Sequence, residues 1–181
     1  DIKEKSTGEL SFGAGFSTSE SLVGDISIRE RNLLGRGQDL KLGLNMSSSR
    51  QQVDLSFTEP YFLDRNLAAG FDLFNVRRDF QSESSYDSNA LGMTLRSAFP
   101  IAKYLRQNVR YTLRQDTIEN VGSTASRFIS EQEGTRITSS VGYTLTYDLR
   151  DRRVLPSEGY LARVSQDLAG LGGNVSYLKN K

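Results

Sequence analysis

The stretch "ITSSVGYTLTYDL", residues 137 to 149, alternates with period two. Ile137, Val141, Tyr143, Leu145, Tyr147 and Leu149 are apolar, and Thr138, Ser140, Gly142, Thr144, Thr146 and Asp148 between them are small or polar. Successive side chains of a strand point to opposite faces, whereas a helix repeats about every 3.6 residues, so this stretch is a strand with unlike faces.

The pattern recurs along the chain. Leu10, Phe12, Ala14 and Phe16 alternate with Glu9, Ser11, Gly13 and Gly15; Leu40, Leu42, Leu44 and Met46 alternate with Asp39, Lys41, Gly43 and Asn45. Val53, Leu55 and Phe57 form another set, followed by Leu67, Ala69, Phe71 and Leu73, then Leu91, Met93 and Leu95, then Val109, Tyr111 and Leu113, then Tyr160, Ala162, Val164 and Leu168. A weaker member carries Leu22, Gly24, Ile26 and Ile28. Nine strands are predicted, and "NVSYLKNK" starts a tenth. The 8 Tyr, 9 Phe, 16 Gly and only 3 Pro suit this all-β reading.

The connections alternate as well. "LLGRGQ" (33–38), "EPYFLDRN" (59–66), "FPIAKY" (99–104) and "RDRRVLPSEG" (150–159) are compact and hold all three prolines, at places where a missing N–H is expected to cost no ladder bond. "STSES" (17–21), "SSSRQ" (47–51), 77–88, 116–135 and "GLGGN" (170–174) are polar, and two of them are long. Alternate connections of a meander lie at one end, so the two ends of the sheet differ.

Alternation serves a soluble sandwich with its apolar face inward as well as a membrane barrel with that face outward. Three features favour the barrel. Residues 136–149 would extend roughly 45 Å at about 3.3 Å per residue, longer than most globular strands. The polar face mixes Gly, Ser, Thr and Asn with Asp39, Lys41, Asp72, Arg96, Arg110, Arg114 and Arg163, as a lumen does. Phe57, Tyr61, Phe62, Phe99, Tyr104, Tyr147 and Tyr160 gather near the compact turns like an interfacial girdle. No run of 18 apolar residues is present, so a helical span is excluded.

Much chemistry is excluded too. Without His or Cys the chain has no Ser-His-Asp or Cys-His nucleophile system, no histidine or thiolate zinc site and no disulfide. No cofactor or metal site is expected. "GRGQDL" (35–40) holds half of a phosphate-binding glycine pattern but opens a strand, "RDRRV" is diluted by Asp148 and Asp151, and Glu131 and Glu133 sit in a polar loop. A net charge of +1 predicts no nucleic-acid partner. Asn45-Met46-Ser47 and Asn174-Val175-Ser176 match the glycosylation triplet by pattern only. An enzyme is not expected.

With these residues in place, "TGELSFGAGFSTSESLVGDISIRERNLLGRGQDLKLGL", "VDLSFTEPYFLDRNLAAGFDLF" and "YDLRDRRVLPSEGYLARVSQDLAGLGGNVSY" resemble the N-terminal half of the barrel of the BamA family of outer-membrane protein assembly factors. The most specific pieces are N-L-L-G-x-G at 32–37, F-T-E-P-Y-F at 57–62, and Asp148, Asp151, Pro156 and Gly159 ahead of a strand. The family's Val-Arg-Gly-Phe loop motif and aromatic-terminated last strand are not in this chain.

The resemblance implies part of a sixteen-stranded transmembrane barrel in the outer membrane of a Gram-negative bacterium. Residues 1–7 would be the tail of a periplasmic POTRA domain and 8–181 the N-terminal portion of the barrel. It implies a lateral gate whose edge strand is Glu9, Leu10, Ser11, Phe12, Gly13, Ala14, Gly15 and Phe16, templating strands of nascent β-barrel outer-membrane proteins. The glycines either weaken that edge or relieve crowding in the lumen. The compact turns would be periplasmic, with Phe57, Pro60, Tyr61, Phe62, Tyr147 and Tyr160 forming the turn and girdle. Implied partners are outer-membrane lipid, the Bam complex lipoproteins, and the remaining half of the barrel or another copy. Related two-partner secretion or translocation-and-assembly transporter barrels, and a soluble β-barrel binding protein, are the alternatives.

Overall fold

A computed structural model describes residues 7–181; the expected POTRA tail therefore lies, but for Thr7, outside the described residues. Ten strands form one antiparallel sheet whose order is the chain order. They are β1 (Gly8–Ser17), β2 (Ser21–Leu33), β3 (Gln38–Ser47), β4 (Arg50–Glu59), β5 (Ala68–Asp79), β6 (Asp87–Ala102), β7 (Leu105–Glu119), β8 (Gly134–Asp148), β9 (Leu161–Ala169) and β10 (Tyr177–Asn180). The turns β2–β3, β4–β5, β6–β7 and β8–β9 share one end, the turn end. The other five connections share the loop end, where two carry short helices, α1 (Gln81–Ser84) and α2 (Arg127–Ser130).

Every strand expected from alternation is present. Several run further than expected, because cross-strand pairing continues where both faces turn polar: Asp79 stands opposite Asp87, and Thr117 opposite Thr135. Pro100 corrects the expectation that all three prolines lie outside the ladder. It sits within β6 opposite Arg106, and the register shifts between Pro100 and Ala102. An irregularity there accommodates the missing donor.

Register fixes the faces. Leu10, Ile28, Leu42, Leu55, Leu73, Met93 and Leu113 stand opposite one another in successive strands. One residue away, Glu9, Arg29, Lys41, Ser56, Asp72, Thr94 and Thr112 form the matching row on the other face. No second layer covers either face: among the described residues only Ala90, Ser139, Gly142 and Ala169 are buried, while Phe12 is 79% exposed and Leu73 41%. A water-soluble β-domain buries its apolar face against another layer.

The apolar band also crosses the sheet obliquely. In β1 it spans Leu10 to Phe16, and in β2 Ile28 to Leu22, from the shared row toward the loop end. In β8 it spans Ile137 to Tyr147, mostly toward the turn end. Ile26 thus shares a row with Gln115. The centre of the band drifts by about six residues, roughly 20 Å, over seven strand spacings of about 4.8 Å. That slope, about 30°, is close to the strand tilt a membrane barrel needs for its apolar belt to lie level in the bilayer.

Candidate functional site

Glu9–Phe16 form most of β1, which ends the sheet. Glu9 to Phe16 pair with Arg29 to Leu22 of β2, and no strand lies beyond β1 among the described residues. Leu10, Phe12 and Phe16 project from the apolar face, and Glu9 reaches Arg31 at 3.1 Å. The two glycines differ: a Cβ on Gly13 would collide with the Asp25 carboxylate, whereas one on Gly15 would meet nothing within 4 Å. Crowding accounts for the first and not for the second. At the opposite edge β10 pairs with β9 from Tyr177 opposite Ala169 to Asn180 opposite Gln166, and Lys181 and Ser165 exchange backbone hydrogen bonds of 2.9 Å.

The expected girdle residues all stand at the turn end. Phe57 in β4 packs on Phe71 at 5.6 Å between ring centroids, and Tyr147 on Tyr160 at 6.0 Å. Pro60 and Tyr61 precede a 3-10 turn, Phe62–Asp64, closed by the Phe62 N–H donating to the Leu67 carbonyl at 2.8 Å. Leu34, Leu63 and Leu155 adopt φ of 56°, 57° and 51° in three separate turns of this end, a left-handed conformation costing a non-glycine residue roughly 1–2 kcal/mol. All three side chains are exposed.

The β8–β9 turn is built on carboxylates. Arg150 donates to Asp148 through Nε at 2.8 Å and Nη2 at 2.9 Å. Asp151 accepts from the Ser157 hydroxyl (2.7 Å), the Ser157 N–H (3.0 Å), the Glu158 N–H (3.2 Å) and Arg152 (3.3 Å). These donors, the Ser157 hydroxyl foremost, hold the Asp151 carboxyl well below the usual carboxylate range. Gly159 has φ of 87°, and a Cβ there would strike the Leu149 carbonyl, so only glycine closes the turn.

On the polar face arginines lie across strands. Arg29 forms a fork on Asp39 through Nε (2.9 Å) and Nη2 (2.5 Å). Arg96 reaches Asp72 at 2.9 Å, Ser56 at 3.0 Å, Thr58 at 2.8 Å and the Phe57 carbonyl at 3.2 Å. It passes over Gly70, where a Cβ would meet the guanidinium carbon at 3.1 Å. Arg110 pairs with Asp167 in the same way across Gly142. Asp72, Arg96, Arg110 and Gly142 line a groove of about 590 Å³ with Ala68, Thr144 and Ser165. The charges were legible as a face; their pairing depends on register, for which the sequence carries no local signal. Among the described residues no group of three or more His, Cys, Asp or Glu is placed to hold a metal ion.

A single-layer, tilted, antiparallel sheet with an oblique apolar belt on one face and paired charges on the other defines a segment of the wall of a transmembrane β-barrel. The chain belongs to the Omp85 superfamily, whose domain model matches residues 32–181. It is 27% identical over 179 residues to an outer membrane protein assembly factor BamA of Neorickettsia risticii (strain Illinois), covering 99% of this chain and 24% of the relative. To the factor of the same name from Nitratidesulfovibrio vulgaris it is 30% identical over 180 residues, covering 98% and 22%. The human sorting and assembly machinery component 50 homolog is 28% identical over 157 residues, covering 85% and 33%. The crystal structure of BamA from Haemophilus ducreyi lacking POTRA domains 1–3 superposes with a TM-score of 0.70 at 23% identity, covering 96% of this chain and 36% of that one. The chain thus spans about a quarter of the length of the BamA relatives.

Proposed function

We propose that this wall segment belongs to an insertase of the Gram-negative outer membrane that folds β-barrel proteins by adding strands at the β1 edge. The observation carrying this reading is the position of β1: it ends the sheet, it is backed by a complete hairpin with β2, and its apolar side chains project to the lipid side. Backbone N–H and C=O groups along such an edge recognise an extended chain whatever its side chains, which suits a machine with many substrates. No side chain need act catalytically, so the assembly role is that of a template rather than an enzyme. The relatives carry assembly names, which favours this reading over a transport pore. Bam lipoproteins, the POTRA domains and outer-membrane lipid are the surroundings it implies, with the rest of a sixteen-stranded barrel, or another copy, completing the wall.

The experiment places single cysteines along residues 10–16 of the full-length protein and crosslinks during insertion of a nascent barrel. Crosslinks concentrated on β1 are expected. Their absence there, with crosslinks at other positions, overturns the reading.

A further inference from the structure

At the turn end of the polar face Arg106 and Arg163 both stand opposite Thr146, one on each side, about 10 Å apart at two strand spacings. Neither guanidinium has an ion-pair or hydrogen-bond partner among the described residues. Their neighbours behave differently, since Arg96 holds Asp72 of the adjacent strand and Arg110 holds Asp167 across Gly142. The carboxylates nearby are already engaged: Asp148 by Arg150, Asp151 by Ser157 and Glu158, Asp167 by Arg110. Arg163 lines both the 590 Å³ groove and a second of about 730 Å³, which also takes in Lys103, Arg106 and Arg153. Small side chains shape this surface, with Ala98 and Asn108 shared by the two grooves.

We propose that Arg106 and Arg163 form a docking site on the inner wall for an extended acidic peptide segment. The chemistry calls for at least two carboxylates. Side chains at alternate positions of an extended chain lie about 7 Å apart on one side, within the span of two flexible guanidinium arms. Arginine favours carboxylate because its fork donates two parallel hydrogen bonds. A lipid headgroup is disfavoured by sidedness: Leu105 and Tyr147, adjacent in sequence to Arg106 and Thr146, point to the opposite, lipid-facing side. The site rests on the barrel reading, which makes this face a lumen, and is separate from the β1 edge.

The test uses the full-length protein in detergent and a fluorescent Gly/Ser peptide with glutamates at three alternate positions, beside its glutamine counterpart. Binding of the glutamate peptide that weakens with added salt, and falls about tenfold or more in Arg106→Gln/Arg163→Gln, is expected. Arg77→Gln, at the loop end, leaves binding unchanged. Equal binding of the glutamine peptide, absence of binding, an unaffected double variant, or displacement by phosphatidylglycerol micelles as effective as by unlabelled peptide each overturns the assignment. Neither guanidinium has a partner to lose among the described residues, so the double variant is expected to fold; unchanged gel migration with and without heating verifies it. Persistent β1 crosslinks in a double variant that no longer binds peptide separate this site from the insertion function.

Discussion

The guanidinium of Arg110 reaches the carboxylate of Asp167 by lying across Gly142, which stands between them in the register of β7, β8 and β9. A methyl group at that glycine would occupy the space of both partners, coming within 2.8 Å of Arg110 Nε and closer still to Asp167. Gly142→Ala is therefore expected to lower the stability of the full-length protein in detergent by about 1–3 kcal/mol, the usual cost of overpacking. Gly43→Ala, on the same face with nothing within 4 Å, is expected to be neutral or to stabilise by up to about 1 kcal/mol. Urea refolding of the two variants side by side checks this; equal losses would remove the steric account of the ion pair.

The oblique belt gives a sharper test of membrane orientation. Ile26 and Gln115 share a register row, yet the drift of the band puts Ile26 near its middle and Gln115 beyond its upper margin. Arginine on the lipid face costs about 2–4 kcal/mol at the midplane and about 0–1 near the interface. Ile26→Arg and Tyr143→Arg, well apart in register, are both expected to show the larger cost, and Gln115→Arg the smaller. Folding free energies into lipid vesicles supply the measurement, and equal costs for Ile26→Arg and Gln115→Arg would mean that the belt follows the rows.

The β8–β9 turn is expected to loosen in acid. In the folded state the Asp151 carboxyl titrates well below the ordinary value of about 3.9, so its stabilisation is complete above that value and is lost as pH falls below it. Hydrogen exchange at the Ser157 and Glu158 amides, corrected for intrinsic rate, should accelerate from about pH 4 downward. Asp151→Asn should show weaker protection at pH 7 and no such acid dependence. A wild-type profile that stays flat from pH 7 to about pH 2.5 would contradict the assigned role.

Much of this architecture is legible from alternation, because one face meets lipid and the other water along most strands. Where that contrast fades, so does the legibility. Arg77 to Asp79, Asp87 and Ser88 are polar on both faces and read as loop, yet they continue the ladder. Exceptions within the belt are equally opaque: Asn75 and Gln115 face outward at its margin, while Phe74 turns inward against Gly92, where a Cβ would meet its ring at 2.5 Å. The tilt of the belt and the Arg110–Asp167 pair exist only once register is known, and register is a property of strand pairs rather than of any one strand. The edge strand rests on resemblance and the girdle on aromatics clustered near the compact turns; the fold puts the former at the sheet's end and the latter at one end of the strands.

The last element without a sequence signal is the segment after β9, which acts as a strand without being one. β9 pairs with β8 only as far as Ala169 opposite Ser140, leaving Thr135 to Ser139 without a ladder on that side. Residues 170–174 fill the place. The Gly170 N–H donates to the Ser139 carbonyl at 3.1 Å, the Asn174 N–H to the Ile137 carbonyl at 2.9 Å, and the Ile137 N–H to Asn174 Oδ1 at 2.7 Å. Asn174 Nδ2 in turn donates to the Thr135 carbonyl at 3.4 Å, which engages the amide of the glycosylation triplet in the fold. Asn174→Ala removes the acceptor for Ile137, so exchange at that amide should accelerate about fivefold to tenfold, corresponding to roughly 1 kcal/mol of local opening. Asn174→Asp keeps an acceptor oxygen and should preserve most of the protection at Ile137. Exchange at Tyr143, deep in the β8–β9 ladder, should be unaffected by either change. If both variants left Ile137 protected, the loop backbone alone would be sealing β8 and the side chain would be dispensable.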